Sequence, residues 1–191
     1  MGLLVELDLR GKRVLLIGGG CIATRRFLKL YQARPSLLRV VAKRIQEEIK
    51  KVAFVTPWIE LFERDFQEED LEGFHMVLAA TDDADLNRRI AFLARGKGMW
   101  VNVANDRGLS DFFFLATVER PPLSIGVSSS GTLPAFSSAL KEALESTLPW
   151  DELVRELHLL VMQRGKIPSS EMRKRCLNRI LSVWPKFTKD K

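Results

Sequence analysis

The residue types and spacings best suited to chemistry lie between Arg13 and Ala23, where the chain reads RVLLIGGGCIA. Val14 to Ile17 form an apolar run of the kind that makes a buried parallel strand, and a helical pattern begins directly after the glycines. Gly18 permits the tight turn, Gly19 continues it, and Gly20 lets the backbone approach a pyrophosphate. Ala23, in the last slot of G-x-G-x-x-G/A, lets the helix pack close to the strand. The free N–H groups that open this helix then face negative phosphates. With strand, turn and helix all in place, the stretch reads as a dinucleotide-binding loop. Two further positions follow from the same geometry. Lys43 and Arg44 come just after the second expected strand, where such sites meet the adenosine ribose. Thr81 and Asp82 close the fourth strand, beside the nicotinamide side of the crevice. NAD-selecting sites usually carry an acid at the ribose position. Two cations there could instead accept a 2′-phosphate, so the residues alone leave NAD and NADP both open.

The elements that must position these groups alternate. Strands are expected at Val14–Ile17, Leu37–Ala42, Trp58–Phe62, Met76–Ala80 and Trp100–Ala104. Helices are expected at Thr24–Ala33, with Phe27, Leu28, Leu30 and Tyr31 as its apolar face, then at Gln46–Val52 and from about Leu86 to Arg95. A helical turn falls at Glu68–Leu71, and Leu3–Leu9 reads as a lead-in strand or extended arm closed by Gly11. Asp82 and Asp83 can cap the third helix. This alternation predicts an α/β, Rossmann-like, doubly wound parallel sheet over 1–111. The pattern then changes. Phe112–Val118 and Leu123–Val127 read as a β-rich pair over 112–149, followed by a helix with Pro134 in its first turn and Phe136, Leu140, Ala143 and Leu144 at helical spacing. Over 150–191 only helices are expected: Asp151–Arg164, a break at Gly165–Pro168, then Ser169–Trp184 and a frayed tail.

Composition sets outer limits. The chain has 191 residues, 46% of them hydrophobic and 28% charged, which are the proportions of an ordinary globular protein. No apolar run approaches the ~20 residues of a membrane-spanning helix, and the amino terminus lacks a signal-peptide layout. Two distant cysteines, Cys21 and Cys176, suggest no disulfide framework, so a cytoplasmic location is expected. The formal charge of +6 is concentrated late, in Arg173, Lys174, Arg175, Arg179, Lys186, Lys189 and Lys191. It is not interleaved with stacking aromatics or a docking motif, so nucleic acid is not the expected partner. His75 and His158 stand alone, and no metal-ligand spacing is visible. On the residues alone, two classes remain: an oxidoreductase, or a nucleotide-sensing regulatory module.

Five segments together go further: GGGCIATRR, AATDDADLNRR, VNVANDRGLSDFFFLATVER, PPLSIGVSSSGTLPAF and the helix ending ESTLPW. In order and spacing the chain resembles the precorrin-2 dehydrogenase / sirohydrochlorin ferrochelatase family, the amino-terminal module of siroheme synthases, over roughly residues 3–150. The resemblance implies NAD-dependent oxidation of precorrin-2 to sirohydrochlorin and, in bifunctional members, insertion of ferrous iron to give siroheme. It implies a homodimer built on the segment after the sheet, and the apolar block Phe112, Phe113 and Phe114 adds to that expectation. It also implies that the backbone amides of Cys21 and Ile22 hold the cofactor phosphates; the Cys21 side chain reads as packing at a crowded turn before it reads as a reactive thiol.

The resemblance further draws attention to Asn102-Val103-Ala104-Asn105-Asp106. Asn102 and Val103 fall at the cofactor, and a family aspartate near the end of this strand is tied to both chemistries, as a carboxylate that can take a proton from the macrocycle. In this chain that position holds Asn105, and an amide is no base at neutral pH. Either Asp106 substitutes for it, or dehydrogenation is kept and chelation lost, or Asn105-Asp106 is turn chemistry. Ser128, Ser129 and Ser130 are expected at the substrate. Ser129 matches a position phosphorylated in some members, and the cluster can also be a polar loop capping the next helix.

Overall fold

In a computed structural model, residues 2–163 and 169–183 are described. The expected break at Gly165–Pro168, Trp184 and the tail beyond it lie outside them. The chain divides into two compact units, Leu4–Phe113 and a second that runs from Phe114 onward.

The first unit is the expected doubly wound sheet. Five strands, β1 (Arg13–Ile17), β2 (Leu37–Ala42), β3 (Ile59–Glu63), β4 (Met76–Ala79) and β5 (Trp100–Val103), pair in the order β3-β2-β1-β4-β5. Every pairing is parallel. The central strands can be almost wholly apolar because both of their faces are covered, and Val14, Leu15, Leu16, Val40, Val41, Val77 and Leu78 are fully buried. Side chains alternate across the sheet. Leu15, Ile17, Val41, Val77, Ala79, Val101 and Val103 therefore share one core with Ile90, Ala91 and Ala94 of helix α3 (Ala84–Gly96). Helices α1 (Cys21–Ala33) and α2 (Glu47–Phe54) and the expected helical turn at Glu68–Leu71 complete the unit.

Several boundaries differ from those the sequence suggests. Helix α1 begins at Cys21 rather than Thr24, directly on its Gly20 cap, so Cys21 and Ile22 belong to its first turn. Its buried residues are Ala23, Thr24, Phe27 and Leu30. Tyr31 stays 38% exposed, stacked on Trp58 at 5.7 Å. The Leu3–Leu9 lead-in forms no strand and joins no sheet. Of the two candidate caps for α3, Asp83 is the one used, its carboxylate accepting the Asp85 and Leu86 N–H groups. His75 has a structural role: its Nδ1 accepts the Arg13 N–H at 3.1 Å.

Phe27 has no exposed surface, so Phe27→Ala should destabilise the protein by about 3–5 kcal/mol through lost burial and a residual cavity. Urea unfolding reads this directly, and a change under about 1 kcal/mol would contradict the packing described.

In the second unit, β6 (Ala116–Arg120) and β7 (Leu123–Val127) form an antiparallel hairpin. Phe112 to Leu115, expected to lead this strand, lie outside it. Three helices follow: α4 (Pro134–Thr147), α5 (Trp150–Met162) and α6 (Ser169–Val183). Pro134 opens α4, where its missing N–H costs nothing. Val118, Leu148, Trp150 and Leu153 form the unit's core, with Leu123, Ile125, Leu144 and Val183 packed against it. Among the described residues no helix is long and apolar enough to cross a membrane. Nor, among them, could any group of three or more His, Cys, Asp or Glu residues hold a metal ion.

Candidate dinucleotide site

The order β3-β2-β1-β4-β5 reverses direction at β1, and ligands of such sheets bind beyond the carboxyl ends of the strands at that reversal. At this edge the first unit gathers the loops after β1, β2, β4 and β5, which hold Gly18 to Ile22, Lys43 and Arg44, Thr81 and Asp82, and Asn105 and Asp106. Asn102 and Val103 end β5 itself. The three glycines do three different jobs. Gly18 has φ +122°, and a Cβ there would lie 2.3 Å from the Ala80 carbonyl oxygen. Its N–H meanwhile donates to Val41 at 2.9 Å. At Gly19 a Cβ would lie 2.1 Å from the Arg44 carbonyl oxygen. Gly20 meets no protein atom within 4 Å and is exposed. Gly18 and Gly19 are thus demanded by the protein's own backbone, while Gly20 opens onto free space beside the first turn of α1.

That first turn contains no acidic residue, and no side chain caps it. The N–H groups of Cys21, Ile22 and Ala23 have no partner within the helix; the first helical bond runs from the Thr24 N–H to Gly20 at 2.9 Å. These donors and the helix dipole fit a pyrophosphate. Cys21 is exposed and free, and its sulfur accepts from Gln46 Nε2 at 3.3 Å. The role of Gln46 is not legible from the sequence. Its N–H also donates to the Gly19 carbonyl at 3.1 Å, and its Oε1 accepts the Thr24 hydroxyl at 2.8 Å. It thereby ties the turn after β2 to the glycine loop.

Around β4, Thr81 is clamped by the buried Asn87. The Thr81 hydroxyl donates to Asn87 Oδ1 at 2.8 Å, and Asn87 Nδ2 donates to the Thr81 carbonyl at 2.9 Å. Asn87 stands in the ATDDADLN segment, but only the fold shows what it holds. Asp82 is exposed.

The loop after β5 folds back onto that strand. Val101 and Asp111 exchange bonds at 2.8 and 2.9 Å, and the Val103 N–H reaches Ser110 Oγ at 2.9 Å. Asn102 Nδ2 donates to the Phe112 carbonyl at 2.8 Å, so this side chain fastens the loop. These bonds close an otherwise open sheet edge. Asn105 sits exposed at φ 65°, a left-handed conformation that Asn tolerates. Asp106 is half-buried, and its Oδ1 accepts the Leu109 N–H at 3.1 Å. Phe112 tilts against Trp100 at 6.4 Å, and the Arg107 guanidinium lies 3.8 Å from the centre of the Phe113 ring. The phenylalanine block is therefore partly housed within this unit.

The serines belong to the second unit. Ser129 Oγ accepts the Leu133 N–H at 3.3 Å and meets the buried Ser137 hydroxyl at 2.9 Å. Ser128 Oγ accepts the Ser130 N–H at 3.1 Å. In this arrangement the cluster organises the entry to α4.

A family model described as "Putative NAD(P)-binding" matches residues 5–116, over half of the chain. The chain belongs to this NAD(P)-binding family. The match spans the glycine loop and all five parallel strands. Among relatives of the family member described here, the siroheme synthase of Pseudomonas fluorescens (strain SBW25) is 39% identical over 142 residues, covering 74% of this chain and 30% of that protein. The siroheme synthase of Photorhabdus laumondii is 35% identical over 145 residues, covering 76% and 30%. The chain thus spans about 30% of the length of the curated relatives it matches. Among solved structures, "SirC, precorrin-2 dehydrogenase" superposes with a TM-score of 0.78 at 26% identity, covering 94% of this chain and 89% of that one. The resemblance read from the five sequence segments is borne out by these relatives.

Proposed function

We propose that the protein oxidises precorrin-2 to sirohydrochlorin with NAD, a cytoplasmic step of siroheme biosynthesis. One observation supports this above the rest. The likeness to SirC precorrin-2 dehydrogenase extends over 94% of this chain, so it takes in the hairpin and helices as well as the nucleotide fold. A bare nucleotide-binding likeness would stop at the first unit.

When bound, the dinucleotide supplies the hydride acceptor. Gly20, Cys21 and Ile22 offer backbone donors to its pyrophosphate, and Gly18 and Gly19 shape the turn that presents them. Lys43 and Arg44 flank its adenosine ribose, and Thr81, Asp82, Asn102 and Val103 shape the nicotinamide end. Asp106 is the proton acceptor: Oδ1 is engaged by the Leu109 N–H, which leaves Oδ2 to take the proton as hydride leaves the macrocycle. Asn105 beside it orients the substrate as a hydrogen-bonding amide. Ser128, Ser129 and Ser130 contact the substrate, with 112–149 as the dimerisation segment and 150–191 as a basic carboxyl-terminal region.

The test is spectroscopic. Precorrin-2 and NAD incubated with the protein should give the sirohydrochlorin spectrum and one NADH per turnover. If neither product appears with a folded protein, the proposal fails.

A homodimer is part of the same reading. Leu133 at the cap of α4, with Phe136 and Leu140 within it, are 55, 58 and 39% exposed, an apolar stripe suited to a symmetric interface. Light scattering at micromolar concentration should give twice the chain mass, and a monomer would count against it. Precorrin-2 is a polycarboxylate, so attraction by the basic helix α6 should make its KM rise with ionic strength.

A further inference from the structure

The sequence places two cations and no acid at the end of β2, the position that usually decides between a free ribose 2′-hydroxyl and a 2′-phosphate. The tertiary structure brings acids there from the next strand. Ala42, the last residue of β2, pairs with Glu63, the last of β3. Two residues further on, Asp65 Oδ1 lies 3.1 Å from Lys43 Nζ.

The two carboxylates are not equivalent. Glu63 is occupied on both oxygens. Oε2 pairs with Lys50 at 2.9 Å, and Oε1 accepts the Ile45 N–H at 3.0 Å. The Lys50 hydrogen bond first, and the Ile45 N–H second, hold its carboxyl below the usual range. Glu63 thereby fixes the turn from Lys43 to Gln46, the same turn that packs against Gly19. Asp65 faces Lys43. Although exposed, it is carried on a fixed loop: Arg64 Nη1 donates to the Asp65 carbonyl at 2.9 Å, and the Arg64 fork grips the buried Asp70 at 2.8 and 2.5 Å.

We infer that Asp65, through its ion pair with Lys43, is a specificity-determining residue that turns this site toward the dinucleotide with a free 2′-hydroxyl and away from its 2′-phosphorylated form. The inference rests on the reading of Gly18–Ile22 as the dinucleotide site. With Asp65 in place, the charge of Lys43 is balanced and a second anion beside it is repelled. Without that carboxylate, Lys43 and Arg44 form an unbalanced cationic pair suited to a phosphate dianion.

The experiment is calorimetric titration of the full chain with NAD and with NADP, in the unmodified protein and in Asp65→Asn. Asp65→Asn should move the affinity ratio toward NADP by about five- to tenfold at low salt, and the shift should shrink as salt is raised. Adding Lys43→Ala to Asp65→Asn should cancel the gain, which a merely structural role for Asp65 would not predict. An unchanged ratio, a shift that survives Lys43→Ala, or an unmodified protein that already prefers NADP overturns the inference while leaving the dinucleotide site standing. Failure of the folded, unmodified protein to bind either compound overturns the site reading, and this inference with it.

Discussion

Gly20→Val is expected to leave the fold intact and to abolish dinucleotide binding. The structure separates these two effects. A Cβ at Gly20 meets no protein atom within 4 Å, and the residue's φ of −85° and ψ of −169° suit any L-residue. The melting temperature should therefore hardly move. A branched side chain there projects into the space beside the free N–H groups of Cys21 and Ile22, where a pyrophosphate would lie. Hydrogen bonds to a charged group contribute roughly 1.5–3 kcal/mol each, so losing two implies a fall in affinity of about a hundredfold or more. Gly19→Ala supplies the contrast. Its Cβ would need the Arg44 carbonyl to move away from 2.1 Å, so that variant should lose stability and binding together. Calorimetric titration with NAD alongside a thermal melt distinguishes the cases. Undiminished affinity in a folded Gly20→Val protein would remove the pyrophosphate from this turn.

The second large effect is a gain. The unmodified protein should oxidise precorrin-2 but insert ferrous iron into sirohydrochlorin weakly or not at all, and Asn105→Asp should acquire insertion. Dehydrogenation depends heavily on holding the reacting carbon against the nicotinamide, so with Asp106 as proton acceptor an amide at position 105 costs only part of the rate. Metal insertion requires pyrrole protons to be removed, and the Asn105 amide offers no basic site. The exposed, left-handed position of Asn105 accepts Asp without backbone cost, so the variant should fold. Asp106 needs a gentler probe. Because Asp106 Oδ1 caps the Leu109 N–H, Asp106→Ala would also loosen the loop, at about 1 kcal/mol. Asp106→Asn keeps an acceptor and removes the basicity. Iron insertion followed by absorbance would decide. Robust insertion by the unmodified protein, undiminished in Asp106→Ala, would show that the chemistry lies elsewhere.

The sequence by itself determined the parallel sheet, the nucleotide loop and the family. Their signals are local: an apolar run of strand length, glycines at fixed offsets, a helix pattern bounded by caps and breakers. Leu37–Ala42 is β2 to the residue, since both of its flanks are marked. Boundaries slipped where a local signal is silent. Helix α1 starts at Cys21 because the glycine turn ends there, and neither Cys21 nor Ile22 announces a helix. Phe112 to Leu115 read as strand on composition alone, yet Phe112 gives its carbonyl to Asn102, a partner ten residues away.

The working details of the site were decided only by tertiary structure. Gly19 is required by the Arg44 carbonyl, Thr81 is held by Asn87, and Gln46 spans from the glycine loop to the turn after β2. Asp65 reaches Lys43 only because β2 and β3 pair in one register. Thr81 and Asn87 lie only six residues apart; the other contacts join groups that become neighbours only when strands and loops converge at the carboxyl edge of the sheet. A sequence pattern shows which residues an element offers; which backbone or charge each one meets there depends on the packing of elements remote in sequence.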